Sequence, residues 1–472
     1  MVQLAQEFKI TEAIITADRL GDEGYDIKQY IMELSCFEDL DKPYVTAQIV
    51  FMDDIGLIQQ IKILGTEKIK LTVATAERDT VGDVSWTMEF NIVSILQQEK
   101  TAERTEVYHI NLISPHAYRD QNIKISRSYT GRLTKISEAI LINHLGVEVD
   151  RSYGGDDVES QDPVRIITPY ISPLESVQWL MDRATTDVGC PYYAYQTLYD
   201  QKDGVDKIRL GNLEKMMSAK AFNDEKHMLF SQARGMLIAG ESQDKQDVIV
   251  KRVLVDSIQD TLKLTQEGAL GANLMYIDTY TTQKFDRHFD GKKLLERLAS
   301  VGVLGTGGVE GQNVYDVDQK IEVEGEMKKL TDCESRYIST ISSYGTYGSI
   351  NSYADDQDQL QAMNKIRANA IKSLLNKNMI EVTIPGISFF KSKGAGGASL
   401  PSVGDVIWID FLQSATDDAK DGFLNQELSG LYLIHKCRNF YRNTVHEVIM
   451  FVTKLAKNPK PENASKPENA SK

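Results

Sequence analysis

Seven histidines, at 109, 116, 144, 227, 288, 435 and 446, are the side chains best suited to bind a metal or move a proton near neutral pH. A zinc site on a helix needs two of them at fixed spacing, as in HExxH, and the sequence has neither that motif nor such a pair. His435 and His446 flank what reads as one hairpin, and the simplest placement is on its solvated face. Nucleophilic chemistry is no better provided for. There is no GxSxG elbow, and Cys190 and Cys437 have no histidine partner evident in the sequence. Cys437 lies in an apolar strand pattern, where a small core residue fits. The run Gly-Thr-Gly-Gly-Val-Glu-Gly at 305–311 lacks a closing Gly-Lys-Ser/Thr and opens no helix, so it reads as a flexible loop, not a phosphate cradle. Residues 394–397 read the same way. Asp286, Arg287, His288 and Asp290 could be drawn as an acid–base cluster, but among 68 acidic residues they read as a solvated turn before a helix. The 21 tyrosines suit core and interface packing, since no aromatic set recurs at a groove-like spacing. No catalytic, cofactor-binding or metal residue is nominated, no cofactor is expected, and the chain does not read as an enzyme.

The elements that would position any site are therefore the informative part. A chain of 472 residues exceeds one ordinary core, so two to four domains are expected. Its 42% hydrophobic and 26% charged residues are normal for a globular protein. No apolar run approaches the ~18 residues of a spanning helix, and the first ten residues do not read as a signal peptide. Cys36, Cys190, Cys333 and Cys437 lie far apart, which fits folding in a reducing compartment. The net charge of −15 argues against gripping nucleic acid. It is compatible with a surface that nucleic acid passes without sticking.

Residues 1–113 read as β-rich. Tyr44 to Phe51 is a strand, Ile69-Lys70-Leu71-Thr72-Val73 and Met88-Glu89-Phe90-Asn91-Ile92 alternate, and Val107 to Ile113 closes the set. Residues 114–215 read as an α/β unit. Ile123 to Ser126 is a short strand, Leu133, Ile136, Ile140 and Leu141 have helical spacing, and Asp150 to Asp162 is an acidic loop. Ser172-Pro173-Leu174-Glu175 is a capping box that opens a helix ended by Gly189, and Tyr192 to Leu198 with Val205 to Leu210 make a hairpin. In 216–376, strands are expected over about 247–285, then a helix from about Gly291 to Ser300 and another from about Asp358 to Asn376. Residues 377–456 read as a small antiparallel barrel or sandwich: Ile380, Val382 and Ile384 stopped by Pro385-Gly386, then Val406 to Phe411, Leu431 to Ile434, and Val445 to Val452. The tail, 457–472, repeats Lys-Pro-Glu-Asn-Ala-Ser and is expected to be disordered.

The two β regions echo each other. Leu64-Gly65 before Ile69 to Val73 parallels Val403-Gly404 before Val406 to Phe411. Phe90-Asn91-Ile92, a polar hairpin and Val107 to Ile113 parallel Tyr432-Leu433-Ile434, a polar hairpin and Val445 to Val452. One chain carrying two like units can form six like positions as a trimer.

The chain resembles the central baseplate hub protein of contractile-tailed bacteriophages of the T-even type, and more distantly the trunk of type VI secretion spike proteins. Three stretches carry the resemblance: Ile113-Ser114-Pro115-His116-Ala117-Tyr118 leading to Ile123 through Tyr129; Pro173 through Ala184 with the aromatic hairpin after it; and the C-terminal pattern with Leu400-Pro401-Ser402-Val403-Gly404-Asp405 and Ser429-Gly430-Leu431-Tyr432-Leu433-Ile434. The resemblance implies an α+β multidomain fold with two similar antiparallel β-barrel (tube) domains and α/β insertions. The second barrel would combine Val248 to Phe285 with Ile380 to Lys454, leaving Gly291 to Asn376 peripheral. It also implies a pseudo-sixfold homotrimeric ring in the phage tail baseplate, assembled in the host bacterial cytoplasm. Its partners would be the hexameric tail tube, the trimeric spike and the baseplate wedge proteins, with DNA passing through unbound and no membrane insertion by this chain. Two other readings compete. A tail-borne cell-wall hydrolase needs two carboxylates across a cleft, and a glycan-binding β protein needs an exposed aromatic platform.

Overall fold

In the strand Lys68–Thr75, Ile69, Leu71 and Val73 are buried while the residues between them are partly open to solvent. The same one-sided burial runs along Thr46–Asp53, whose alternate residues Ala47, Ile49 and Phe51 face the core. The computed structural model describes residues 8–20, 24–54, 56–75, 85–100, 105–154, 164–202, 204–219, 221–222, 228–230, 250–255, 261–278, 284–300, 312–313, 320–332, 337–342, 355–377, 379–386, 391–392, 398–399, 401–411, 428–443 and 445–457. The glycine runs at 305–311 and 394–397, His227, Cys333 and the repeated tail sequence lie outside the described residues.

Eleven strands carry the argument. In the N-terminal half they are β1 (Phe8–Thr16), β2 (Ile31–Asp39), β3 (Thr46–Asp53), β4 (Lys68–Thr75), β5 (Ser85–Lys100) and β6 (Glu106–Ile113). Later come β7 (Arg252–Val255), β8 (Ile380–Pro385), β9 (Val406–Phe411), β10 (Gly430–Arg442) and β11 (Val445–Thr453). They belong to one sheet, in the order β7-β8-β11-β10-β2-β3-β6-β5-β4-β1, with β9 on the other side of the first residues of β10. Among the described strands, no ladder closes either half on itself.

Two halves of this sheet repeat one plan. Taken in chain order, five strands lie first, second, fifth, fourth, third: β2-β3-β6-β5-β4 in one half and β7-β8-β11-β10-β9 in the other. Details repeat as well. The glycine before the third strand has positive φ in both, 89° at Gly65 and 87° at Gly404, a conformation that disfavours any Cβ. The amide of Ile92 donates to the carbonyl of Glu67 at 3.0 Å, and that of Ile434 to Asp405 at 2.9 Å. The fourth strand then bulges, between Ile92 and Ser94 in one half and between Ile434 and Lys436 in the other.

Each half covers its own core. Phe51, Phe90, Trp86 and Ile110 belong to the first, and Val382, Tyr432, Ile434 and Met450 to the second. A third core lies under the helices Leu133–Ile140 and Pro173–Met181 and the hairpin strands Tyr192–Tyr195 and Val205–Asn212. The cap expected at Ser172 forms, its Oγ accepting from the Glu175 amide at 3.3 Å. The helix stops at Met181, before Ala184, so Gly189 serves a later turn. Ile125 makes only an isolated bridge to Ile171, and the strand expected at 123–126 is displaced to Ser128–Gly131.

The middle of the chain departs from its sequence reading. Of the stretch 247–285, Arg252–Val255 pairs with β8 in the main sheet. Gly271–Asp278 and Lys284–Asp290 instead form a separate sheet with Tyr337–Ser342. Nor is 291–376 peripheral. Leu294, Leu295 and Leu298 of the helix Gly291–Ser300, and Ile366, Ile371 and Leu374 of the helix Asp355–Lys377, enter the same core as β8 to β11. Such apolar stripes must be buried against something, and here they share the core of the second half.

Candidate functional site

The feature that distinguishes this molecule is the seam where its two halves meet. β10 is long enough to serve both. Its first residues pair with β9, Ile409 opposite Gly430 and Val406 opposite Leu433. After the bulge at His435, the same edge pairs with β2 of the other half, from Lys436 opposite Asp39 to Arg442 opposite Glu33. The bulge re-aims the strand at the point where it changes partner.

Side chains on both faces secure the seam. Tyr441 stacks on His446, meets Phe8 edge-on at 5.0 Å between ring centroids, and accepts from Trp86 Nε1 at 3.0 Å. On the other face Arg438 donates to Ser35 Oγ at 3.0 Å and lies over the Phe37 and Phe440 rings. Ion pairs mark its ends, Lys436 with Asp39 at 3.3 Å and Arg442 with Glu33 at 3.0 Å.

Glu38 ties the cores of the two halves together. Its carboxylate is buried and accepts from the amides of Leu198 at 3.2 Å and Val403 at 3.3 Å. Burial pushes its pKa up to about 7, with the Asp200 charge adding to the rise, against the two amides and Arg209. Nearby, Arg209 bridges to Asp200 at 2.7 Å, and His116 meets Asp206 at 2.9 Å and the Pro43 carbonyl at 2.8 Å. Gln196 and Gln201 also donate to Asp206. This polar layer between the α/β unit and the first half is structural, since each buried charge has its partner.

The histidines do not assemble into a site. His446 is buried rather than solvated, with Nε2 at 3.1 Å from Asn439 Oδ1. His435 is buried too, and burial lowers its pKa. The pair does not face across the hairpin: His446 is opposite Tyr441, and His435 sits in the bulge far along the strand. His144 meets the Tyr129 hydroxyl at 3.0 Å. His288 bonds Asn273 and the Thr331 carbonyl, and His109 lies half-buried in β6.

Asp286, Arg287, His288 and Asp290 lie along one strand. Asp286 pairs with Lys284, and Asp290 caps the following helix through the Lys292 amide at 2.9 Å. Cys36, Cys190 and Cys437 are buried and free. Burial raises the thiol pKa of each, that of Cys190 up to about 12, opposite to what a nucleophile needs.

Asp39, Asp41 and His435 bring ligand atoms within 4.8 Å of one another. Asp39, however, pairs with Lys436 and receives the Asp41 amide, so a cation there would compete with groups the fold already uses. A cleft of about 500 Å³ opens beside Tyr44, Trp179, Asp120, Glu175 and Asp182. Asp120 accepts from the Leu174 amide at 2.7 Å and Asp182 pairs with Lys372 at 2.8 Å. Both are thus spent on holding helices in place. Among the described residues no helix is long and apolar enough to cross a membrane.

Neither β2 nor the long-range pairing of β10 with it is legible in the sequence. The only local signal is the run Leu34 to Glu38, where Leu34, Cys36 and Phe37 are apolar but keep no regular alternation.

No family model and no curated protein sequence matches the chain. Solved structures with a similar course of chain include a tail protein from Neisseria meningitidis MC58, at 9% identity over 95% of this chain and 97% of that one, TM-score 0.47. Another is the 43 kDa tail protein of prophage MuSo2 from Shewanella oneidensis, at 12% identity over 94% and 98%, TM-score 0.45. A chain of the Francisella PdpA–VgrG complex aligns at 11% identity over 98% of this chain and 60% of that one, TM-score 0.43.

Proposed function

We propose that this chain is a structural subunit of a phage-type tail, the central hub of its baseplate, and that it works as a homotrimer with pseudo-sixfold symmetry. The observation that carries the reading is the duplicated five-strand plan, joined edge to edge within one chain. Three such chains present six like units, which lets a trimeric object meet a hexameric one. In this reading residues 1–113 and the 377–456 region, with β7, are the two tube domains. Residues 114–215 and most of 216–376 decorate or brace them, and 457–472 is a disordered tail.

One rim takes the tail tube and the other the spike, with wedge proteins outside. The net charge of −15 fits a bore that DNA passes without binding. The protein then resides in the virion tail after assembly in the host cytoplasm, and turns over no substrate. Native mass measurement of the assembled protein tests this, with three chains expected. A final state of one or six chains would remove the arrangement, and clearing of peptidoglycan in a zymogram would replace it with a hydrolase.

A further inference from the structure

The seam inside the chain leaves two edges that match it. In the C-terminal half the part of β10 after the bulge pairs with β2, the first strand of the other half. The equivalent part of β5, after its bulge at Val93 and a second between Ile95 and Gln97 that β10 lacks, has no strand on that edge among the described residues, since β4 pairs only up to Asn91. The first strand of the second half, β7, likewise has β8 on one side and no described strand on the other. Three side chains at these edges, Leu254, Val93 and Ile95, are open where their counterparts Ser35, His435 and Cys437 are covered. Leu254 is 43% exposed, whereas Ser35, at the same place in β2, is buried under Arg438 and the seam. Val93 and Ile95 are 50% and 37% exposed. Unpaired edges with apolar side chains invite a strand from another chain.

We propose that the outer edge of β5, residues 95–100, pairs antiparallel with β7 of a second copy of this chain, repeating the internal seam between subunits. The register follows from the duplication. Gln98 and Glu99 stand where Asn439 and Phe440 stand in β10, and Val255 and Leu254 where Cys36 and Ser35 stand in β2. Asn439 is opposite Cys36 and Phe440 opposite Ser35. The new ladder therefore sets Gln98 opposite Val255, Glu99 opposite Leu254 and Lys100 opposite Val253. Because each copy offers one edge of each kind, the contact is head-to-tail and propagates until it closes. That it closes at three rests on the ring reading above; the pairing itself does not.

The test is cross-strand disulfide trapping in the full chain. Directly opposed residues in an antiparallel pair bring their Cα atoms to about 4.5–5.5 Å, which suits a disulfide. Carrying Glu99→Cys and Leu254→Cys together, the oxidised protein should run as a covalent closed trimer without reductant, while either substitution alone stays a single chain. Glu99→Cys with Val253→Cys, one residue out of register and on the opposite face, should cross-link poorly. Leu254→Glu, which would set two carboxylates opposite each other at 99 and 254, should weaken association about tenfold or more.

A trimer by native mass in which 99 and 254 do not cross-link overturns the proposed edge and leaves the ring reading intact. In-register cross-links that build open ladders keep the pairing and remove the ring. A single chain by native mass with no cross-link removes both.

Discussion

Tyr441 lies flat against His446, with ring centroids 4.1 Å apart and planes within 13°. The imidazole is buried at the seam, its Nε2 toward Asn439 and its Nδ1 against Gly386. Burial pushes its pKa down to about 3, with the Lys251 charge acting in the same direction. The unfolded chain takes up this proton near pH 6.5, while the folded chain refuses it until about pH 3. Stability from this group is therefore complete above the unfolded value and falls as the pH drops, by about 1.4 kcal/mol per unit. Urea unfolding at about pH 6.5 and about pH 5 should show His446→Gln losing about 2 kcal/mol less than the parent. Equal losses would mean the ring is not buried neutral.

The same ring explains Gly386. A Cβ there would come within 2.0 Å of His446 Nδ1, and the ring cannot retreat because Tyr441 backs it. Gly386→Ala should cost about 1–3 kcal/mol, the usual range for overpacking. Combined with His446→Ala, which removes the obstacle, the glycine substitution should cost almost nothing. An additive double mutant would show that the two sites do not touch.

Glu38 has the opposite pH signature. Its pKa is raised by burial to about 7, above its value in the unfolded chain, so the group favours the folded state at low pH. That contribution is lost as the pH climbs from about 4.5 to about 7. Between about pH 5 and about pH 6.5 it therefore opposes the His446 effect, and the parent protein is flatter than a chain lacking the carboxyl. Glu38→Gln should steepen the acid loss where His446→Gln relieves it. Glu38→Ala strips acceptors from two buried amides and should cost about 2–5 kcal/mol by thermal or urea denaturation.

How much of this fold is legible in the sequence depends on what one strand reveals about its own surroundings. Ile69, Leu71 and Val73 have a dry side and a wet side, so their alternation announces both strand and face. The repeat is visible for the same reason, through Gly65 and Gly404 and the strands after them. β2 escapes because Leu34, Ser35, Cys36 and Glu38 are all buried, which erases the alternation. His435 and His446 read as solvated because nothing local says what will cover their hairpin. The separate sheet at 271–290 has ordinary strand patterns, and only its long-range partner Tyr337–Ser342 decides which sheet it joins. The seam itself joins residues some 400 positions apart in the chain, as in the Arg438–Ser35 hydrogen bond, and no window of sequence contains it.

Asp206 tests whether the polar layer beneath the first half holds the α/β unit in place. Burial alone would raise this carboxyl, but hydrogen bonds from His116, Gln201 and Gln196 hold it below the usual range. A depressed carboxyl stabilises the fold above its unfolded value and loses that contribution as the pH falls through the folded one. Asp206→Ala would leave the His116 ring and both glutamine amides without their shared acceptor, at a cost of about 3–5 kcal/mol. Asp206→Asn keeps one acceptor and should cost less, and it should abolish this group's share of the acid loss. The fold predicts where the damage falls. Amide exchange should quicken first at His116, whose ring also reaches the Pro43 carbonyl, and at Val45, whose amide meets Gln196. It should leave Ile434 and Met450 in the far core protected. Uniform loss of protection across both halves would show instead that the molecule unfolds as one unit.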